Sequence, residues 1–157
     1  MSDIKLTYDD SLMECDLSIT DGDLTLEDGL ETAILLSLFI DRRAEDDDEL
    51  DNPNDKRGWW GDQVTSFPGD RIGSRLWLLE RAKTDTETLR ATEEYALEAL
   101  EWMKEDGVVE DIEVEAYRVK IKNTEVLGLK VMLKKFEGNN ETFIYDDLWN
   151  AQLNGGN

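Results

Sequence analysis

The spacing of apolar residues changes along the chain, and each change predicts a different element of structure. Residues 4–8 and 13–20 alternate apolar and polar side chains, and this period of two is typical of half-buried β-strands. An Asp-Gly-Asp turn at 21–23 then predicts a hairpin whose second strand covers 24–26. The N-terminal part is therefore predicted to be a set of short strands, with Cys15 facing the core.

A helical period follows in three segments. Residues 29–41 are apolar nearly all round, which is typical of a buried helix, and Asp28 is placed to cap its N-terminus. Residues 73–82 fit a short helix. Residues 86–106 repeat apolar side chains every three or four positions, with glutamates between them, and so predict a long amphipathic helix.

The period returns to two after this helix. Residues 112–121 and 127–133 predict a hairpin, and a shift of phase near Ala116 and Tyr117 predicts a β-bulge. The whole pattern indicates an α+β fold. We expect a small, mostly antiparallel sheet, built from the N-terminal strands and the C-terminal hairpin, to pack against the buried helix and the long helix.

The length of 157 residues predicts a single domain over 1–157. Within it, residues 44–57 are dominated by aspartate and glutamate and hold almost nothing to bury, so they predict a mobile acidic loop. No register of this loop fits the ligand positions of an EF-hand. Residues 138–157 are rich in aromatic side chains. They form either the last strand of the sheet or an arm that docks on a neighbouring protein.

The charge of the chain restricts its partners. Acidic residues outnumber basic ones by 38 to 17, which gives a formal net charge of -21. Nucleic acids and anionic membrane surfaces both attract cationic proteins, so neither is a predicted partner. A basic protein partner is favoured instead. The chain also has no apolar run of the roughly 18 residues that a membrane span requires.

The residue inventory excludes several kinds of chemistry. The chain has no histidine and one cysteine, Cys15, so a histidine–cysteine zinc site, a Ser-His-Asp triad and a Cys-His dyad are all excluded. Glycine-rich phosphate loops are absent as well. A glycan hydrolase with two carboxylates is the enzymatic alternative, and Asp62 beside two tryptophans is its only marker. We therefore predict no catalytic residue, no cofactor and no metal.

The stretch 56–81 concentrates three of the five tryptophans and five of the seventeen basic residues. Aromatic and arginine side chains are the usual anchors at the centre of protein interfaces. A loop that plugs the domain's own core is the alternative, and arginines that follow the first helix also suit its dipole. The predicted partner-binding residues are Arg42, Arg43, Trp59, Trp60, Arg71, Arg75, Trp77 and Trp149.

Four ordered motifs in the chain resemble one known family. They are DGDLTLEDGLETAILLSLFIDRRA from residue 21, RGWWGD from 57, GSRLWLLER from 73 and EYALEALEWMKEDGV from 94. Together they are similar to the Mu-type phage baseplate proteins, which are wedge components of contractile tails. The resemblance covers roughly residues 21 to 115. It implies a structural protein that is present in many copies and binds other baseplate wedge and tail proteins.

A more distant similarity extends to the sheath-initiator wedge proteins of T-even tails, which are sometimes labelled tail lysozymes. Ile72-Gly73-Ser74 matches their Phe-Gly-Ser motif, and Asp41-Arg42-Arg43 stands near their Gly-Glu-Arg motif. Glu105-Asp106-Gly107 replaces their Glu-Pro-Arg motif, which in those relatives helps to grip the wedge's core bundle.

The resemblance implies a wedge subunit that links the hub region to the sheath. Such a protein is made in the host cytoplasm and ends in the tail baseplate. Two alternatives stay open: a tail-associated glycan hydrolase, and a cytoplasmic adaptor on the same fold.

Overall fold

The computed structural model of the chain describes residues 3–9, 14–17, 19–21, 23–24, 26–27, 30–63 and 72–149. Within these ranges, the N-terminal strands pair with one another in short antiparallel ladders. The pairs are β1 (Asp3–Ile4) with β6 (Leu26–Glu27), β2 (Leu6–Asp9) with β3 (Glu14–Leu17), and β4 (Ile19–Thr20) with β5 (Asp23–Leu24). The predicted core position of Cys15 concerns a side chain outside the described part of the chain.

Helical elements occupy the middle of the chain. They are α1 (Glu31–Phe39), a 3-10 helix Trp60–Gln63, a second 3-10 helix Leu76–Leu79, α2 (Thr86–Leu100) and α3 (Trp102–Glu105). The predicted long helix is thus divided at Glu101, and Asp85 caps its start by accepting a hydrogen bond from the backbone N–H of Thr88 at 2.9 Å. The predicted cap of α1, Asp28, lies outside the described residues.

The C-terminal part forms one antiparallel sheet in the order β7-β8-β9, with β7 at Asp111–Ile121, β8 at Thr124–Lys134 and β9 at Glu141–Tyr145. Alternate residues of β8 are fully buried against the helices, as a one-sided sheet requires. These residues are Leu127, Leu129, Val131 and Leu133. The α+β prediction is confirmed. In the described ranges, the N-terminal strands form separate two-stranded ladders, and none of these ladders joins the C-terminal sheet.

The hydrophobic core lies between this sheet and the helices. Ile34 and Leu38 of α1, Leu100 of α2 and Met103 of α3 are completely buried in it. The ring of Tyr145, from β9, packs edge-on against Phe39 at 5.3 Å between centroids. No helix in the described ranges is both long and apolar enough to cross a membrane.

The predicted bulge near Ala116 and Tyr117 is wrong, because the β7–β8 register runs unbroken from Asp111 opposite Lys134 to Ile121 opposite Thr124. The apolar side chains of β7 change face at Tyr117 because this ring has a contact on the outer face of the sheet. The Tyr117 ring covers Gly128 on the outer face, where a Cβ would lie 2.5 Å from the ring. Burial and a 2.8 Å hydrogen bond to Asp146 raise the pKa of Tyr117 to about 12.

Candidate functional site

The segment after residue 72 is fastened to the end of α1 through Ser74. The Ser74 backbone N–H donates to the carbonyl of Ile40 at 2.9 Å, and the Ser74 carbonyl accepts from the N–H of Arg42 at 2.9 Å. The Ser74 hydroxyl donates to the carbonyl of Leu38 at 2.5 Å. One small polar residue therefore bonds two carbonyl groups at the helix end, and it holds the two chain segments together.

The glycine before this serine is required by space and by backbone angle. Gly73 has a φ of +94°, and a Cβ added there would lie 2.2 Å from the carbonyl oxygen of Ile40. This close approach sets the direction in which the chain enters the 3-10 helix Leu76–Leu79. The Gly-Ser pair that matched the distant relatives thus has a structural role in this chain.

Arg75 joins the acidic loop to α2. Its Nη1 donates to Asp48 Oδ1 at 2.8 Å, and its Nε donates to Glu98 Oε2 at 3.0 Å. The guanidinium also lies 4.6 Å from the centre of the Tyr95 ring, within cation–π range. Burial alone would lower the pKa of Arg75, but the hydrogen bonds to Asp48 and Glu98 outweigh it and raise that pKa.

Arg42 shares a partner with Arg75. Its Nη1 lies 3.3 Å from Glu98 Oε1, and its Nη2 lies 3.8 Å from Glu45 Oε1. The backbone carbonyl of Arg42 accepts a 2.8 Å hydrogen bond from the indole N–H of Trp77. Glu98 thus receives two arginines, one on each oxygen, which holds α2 against both neighbouring segments.

Trp77 is buried under a third arginine. The Arg57 guanidinium lies 4.5 Å from the centre of the Trp77 ring, and it contacts Asp41 at 2.8 Å and Glu80 at 3.4 Å. Burial lowers the pKa of Arg57, but the carboxylates outweigh it and raise that pKa. We call this set of half-buried and exposed ion pairs the arginine network; its arginines are Arg42, Arg57 and Arg75.

Two tryptophans project beside this network, and we call Trp59 and Trp60 the tryptophan tip. Their ring centroids are 5.5 Å apart. The Trp59 ring lies against Gly61, where a Cβ would be 2.1 Å from it, while Trp60 is 72% exposed. Gly58 packs against the exposed Arg43, and a Cβ added to Gly58 would lie 2.8 Å from the Arg43 Cβ. The tryptophan tip is therefore a large exposed aromatic surface, and the close packing at Gly58 and Gly61 supports it.

The eight predicted partner-binding residues fall into four groups. Engaged in contacts within the chain are Arg42, Arg75 and Trp77. Exposed are Arg43, Trp59 and Trp60. Half-buried and packed against the core is Trp149. Outside the described residues is Arg71.

The structure adds residues that the sequence analysis did not single out. Arg57, Asp48 and Glu98 belong to the arginine network. Trp102 is 38% exposed and donates from its indole N–H to Ser37 at 3.1 Å. Arg57 stands directly before the Gly-Trp-Trp-Gly motif, and this position is the signal that could have marked it. Asp48 and Glu98 carried no such signal, because they are two carboxylates among thirty-eight acidic residues.

The carboxyl groups with resolved pKa shifts all move downward in the described residues. Hydrogen bonds from Lys56, the Thr88 backbone and Lys104 lower the pKa of Asp46, Asp85 and Asp111 respectively. These groups are held ionised, whereas a glycosidase acid needs a raised pKa. Within the described ranges, no three acidic or cysteine side chains lie close enough together to hold a metal ion.

Comparison with known proteins gives one matching family and two similar relatives. A family model described as "Phage protein GP46" matches residues 30–140. The chain is 50% identical over 95 residues to "Baseplate protein gp46" of Escherichia phage Mu, a match that covers 60% of this chain and 63% of that protein. It is 36% identical over 149 residues to "Mu-like prophage FluMu protein gp46" of Haemophilus influenzae, covering 95% of this chain and 98% of that protein. The arginine network and the tryptophan tip both lie inside the matched family range.

Proposed function

The chain belongs to the Phage protein GP46 family, and we propose on that premise that it is a structural component of a phage tail baseplate. The name of the phage Mu relative, "Baseplate protein gp46", supports this role. The match to that protein spans 63% of its length, so the role is argued for the shared part and extended to the whole chain.

The proposal assigns a more specific role than family membership alone. The chain acts as a wedge subunit that links the hub region of a contractile tail to its sheath. It does so by binding other baseplate wedge and tail proteins, and it is present in many copies per tail. It is assembled in the host cytoplasm and ends in the virion, at the baseplate.

The observation that supports assembly by binding is the exposed tryptophan tip on a rigid base. Trp60 is 72% exposed next to Trp59, and such rings bury much apolar area when a partner covers them. In the arginine network beside the tip, Arg57 pairs with Asp41, and Arg75 joins Asp48 to Glu98 of α2. These anchored positions gain little order when a partner binds. Aromatic anchors on a preorganised surface are the usual centre of a protein interface.

No catalytic step is part of this proposal. A glycan hydrolase of the two-carboxylate kind would require one carboxyl group with a raised pKa. We expect the purified chain to leave a suspension of cell walls turbid. Clearing that a single carboxylate substitution abolishes would replace the structural role with a glycan hydrolase.

The proposal is tested by light scattering on a sizing column. The chain is run alone and after co-expression with the tail proteins encoded beside it. We expect a stable complex with at least one of these neighbours. A chain that remains separate from every one of them would contradict the wedge role.

A further inference from the structure

A groove opens between the acidic loop and α2. Its volume is about 710 Å³, and the second 3-10 helix lies beneath it. The floor is apolar and half-buried, and it is formed by Leu78 and Leu79 of that helix together with Ala91 and Tyr95 of α2. A smaller cleft of about 300 Å³ continues from Leu50 towards Trp77.

The rim of the groove is strongly acidic. Five exposed carboxylates and two cations line it, so the local charge is negative even after pairing. The carboxylates are Asp47, Glu49, Asp51, Asp85 and Glu87, and the cations are Arg81 and Lys83. Among these groups, Asp51 and Arg81 form an exposed ion pair at 3.7 Å.

Two acids of the rim form no ion pair within the part of the chain that the structure describes. Glu49 stands on the acidic loop and Glu87 on the first turn of α2, and neither is within 4.0 Å of a basic group in the described residues. Another carboxylate that lines the groove, Asp48, pairs with Arg75. The groove therefore combines an apolar floor with unneutralised negative walls.

We propose that this groove binds a basic amphipathic segment of another tail protein. Apolar side chains of that segment cover Leu78, Leu79 and Ala91, while its lysines or arginines meet Glu49 and Glu87. The sign of the charge selects this occupant, since anionic peptides, nucleic acids and anionic lipids are all repelled by such walls. The proposal deepens the assembly role and rests on it.

The anchoring of the loop wall at Asp48 distinguishes this groove from an acidic surface without such support. Arg75 fixes the loop wall to α2 through Asp48 and Glu98, and its guanidinium contacts the Tyr95 ring of the floor. A preformed groove loses less entropy when a peptide binds than a mobile acidic tail would. Charge complementarity then contributes to both affinity and choice of partner.

The test uses a short synthetic peptide of leucine and lysine and follows backbone amide shifts of the labelled chain by NMR. We expect shifts concentrated at residues 47–51, 78–83 and 87–95, and weaker binding as salt is raised. A peptide with glutamate in place of lysine should not bind. The variant Glu49→Lys/Glu87→Lys should weaken binding of the lysine peptide by on the order of tenfold or more.

Two further variants keep the test specific. Glu105→Lys/Glu137→Lys makes the same change of charge at exposed positions, at the end of α3 and in the turn before β9, and it should bind like wild type. Ala91→Phe fills the floor without changing charge, and it should weaken binding as the groove variant does. The circular dichroism of each variant is compared with that of wild type. Equal loss in both lysine variants, or shifts spread over the whole surface, would overturn the proposal.

The same variants separate this proposal from the assembly role. Each is co-expressed with the neighbouring tail proteins and run on the sizing column. A complex that forms with wild type and Glu105→Lys/Glu137→Lys, and is lost with Glu49→Lys/Glu87→Lys, supports both. A complex that all three form alike overturns the groove and leaves the assembly role intact. If wild type forms none, the assembly role fails, and the peptide measurement decides the groove on its own.

Discussion

At the scale of single residues, Arg75 joins three parts of the site. It reaches Asp48 on the acidic loop, Glu98 on α2 and the face of Tyr95. The Arg75 side chain is 15% exposed and that of Asp48 is 8% exposed. Loss of the arginine would leave a nearly buried carboxylate without its cation, which is far more costly than loss of a surface pair.

We therefore predict that Arg75→Ala lowers the free energy of unfolding by roughly 3 kcal/mol, measured by urea denaturation. The control is Arg81→Ala, because Arg81 is 82% exposed and its pair with Asp51 is at 3.7 Å. That change should cost less than about 1 kcal/mol. Equal losses in the two variants would mean that the arginine network does not stabilise the fold.

A second pair of substitutions tests the Gly73 position. Gly73→Ala places a Cβ 2.2 Å from the Ile40 carbonyl oxygen at a φ of +94°, and it should cost about 3 kcal/mol. Gly107→Ala also has a positive φ, +68°, but nothing lies within 4 Å of its Cβ. It should cost about 1 kcal/mol. The denaturation midpoints of the two variants separate the effect of the steric clash from that of backbone strain. A Gly107→Ala protein that is less stable than Gly73→Ala would contradict this prediction.

The tryptophan tip separates binding from stability. Trp60→Ala removes a ring that is 72% exposed, so its free energy of unfolding should change by no more than about 0.5 kcal/mol. Its binding to a tail partner should weaken by about 2 kcal/mol or more, measured by calorimetry. Phe136→Ala removes another ring, 64% exposed, outside the proposed interface and should bind normally. Normal binding by the Trp60 variant would remove the tip from the interface.

At the scale of elements, hydrogen bonds join the two ends of the acidic loop of residues 44–57, and the middle of the loop is exposed. The N–H of Ala44 donates to the carbonyl of Lys56 at 2.9 Å, and Glu45 and Asp48 close a turn in which the Glu45 N–H donates to the Asp48 carboxylate at 2.7 Å. Residues 51–55 are all exposed. The prediction that this loop is mobile stays a prediction, and these contacts define where mobility should begin.

Hydrogen exchange checks this prediction. The amide of Ala44 should exchange slowly, and the amides of Asp51, Asn52 and Asn54 should exchange too fast to follow. Amides in the middle of α2 serve as the slow reference. Strong protection across residues 51–54 in the isolated chain would contradict the mobile loop.

Elements with a long, regular hydrophobic period could be predicted from the sequence. The buried helix, the amphipathic helix and the C-terminal hairpin all follow from side-chain spacing, because burial of one face enforces the period. The bulge was wrong because Tyr117 covers Gly128, a contact across strands that no local pattern contains. The short helix after Gly73 is a single 3-10 turn, since the bonds through Ser74 hold its start in place.

The pairing of charges could not be predicted in the same way. Arg42, Arg75 and Trp77 stood out as rare residues in an acidic chain, and the alternative that such a loop plugs its own domain describes their contacts well. Which carboxylates they meet depends on three segments brought together by the fold. Arg75 is 23 residues from Glu98 and 27 residues from Asp48 along the chain, which leaves no local signal for these pairs.

At the scale of the whole molecule, charge and shape agree with a role in assembly. A net charge of -21 keeps the free chain soluble and favours a basic partner, while the tryptophan tip and the groove offer apolar area to bury. The resemblance to the Mu-type baseplate family, made from four motifs, is confirmed by the family match over residues 30–140. Wedge position and sheath linkage remain our proposal.

The most direct test of the baseplate role is the location of the chain in purified tails. Tails are prepared from induced cells and labelled with gold-conjugated antibody against this protein, and particles from a strain that lacks its gene serve as the control. We predict label at the baseplate end in several copies per tail, and no assembled tails in the deletion strain. Tails that assemble normally without the protein, and carry no label when it is present, would contradict the account.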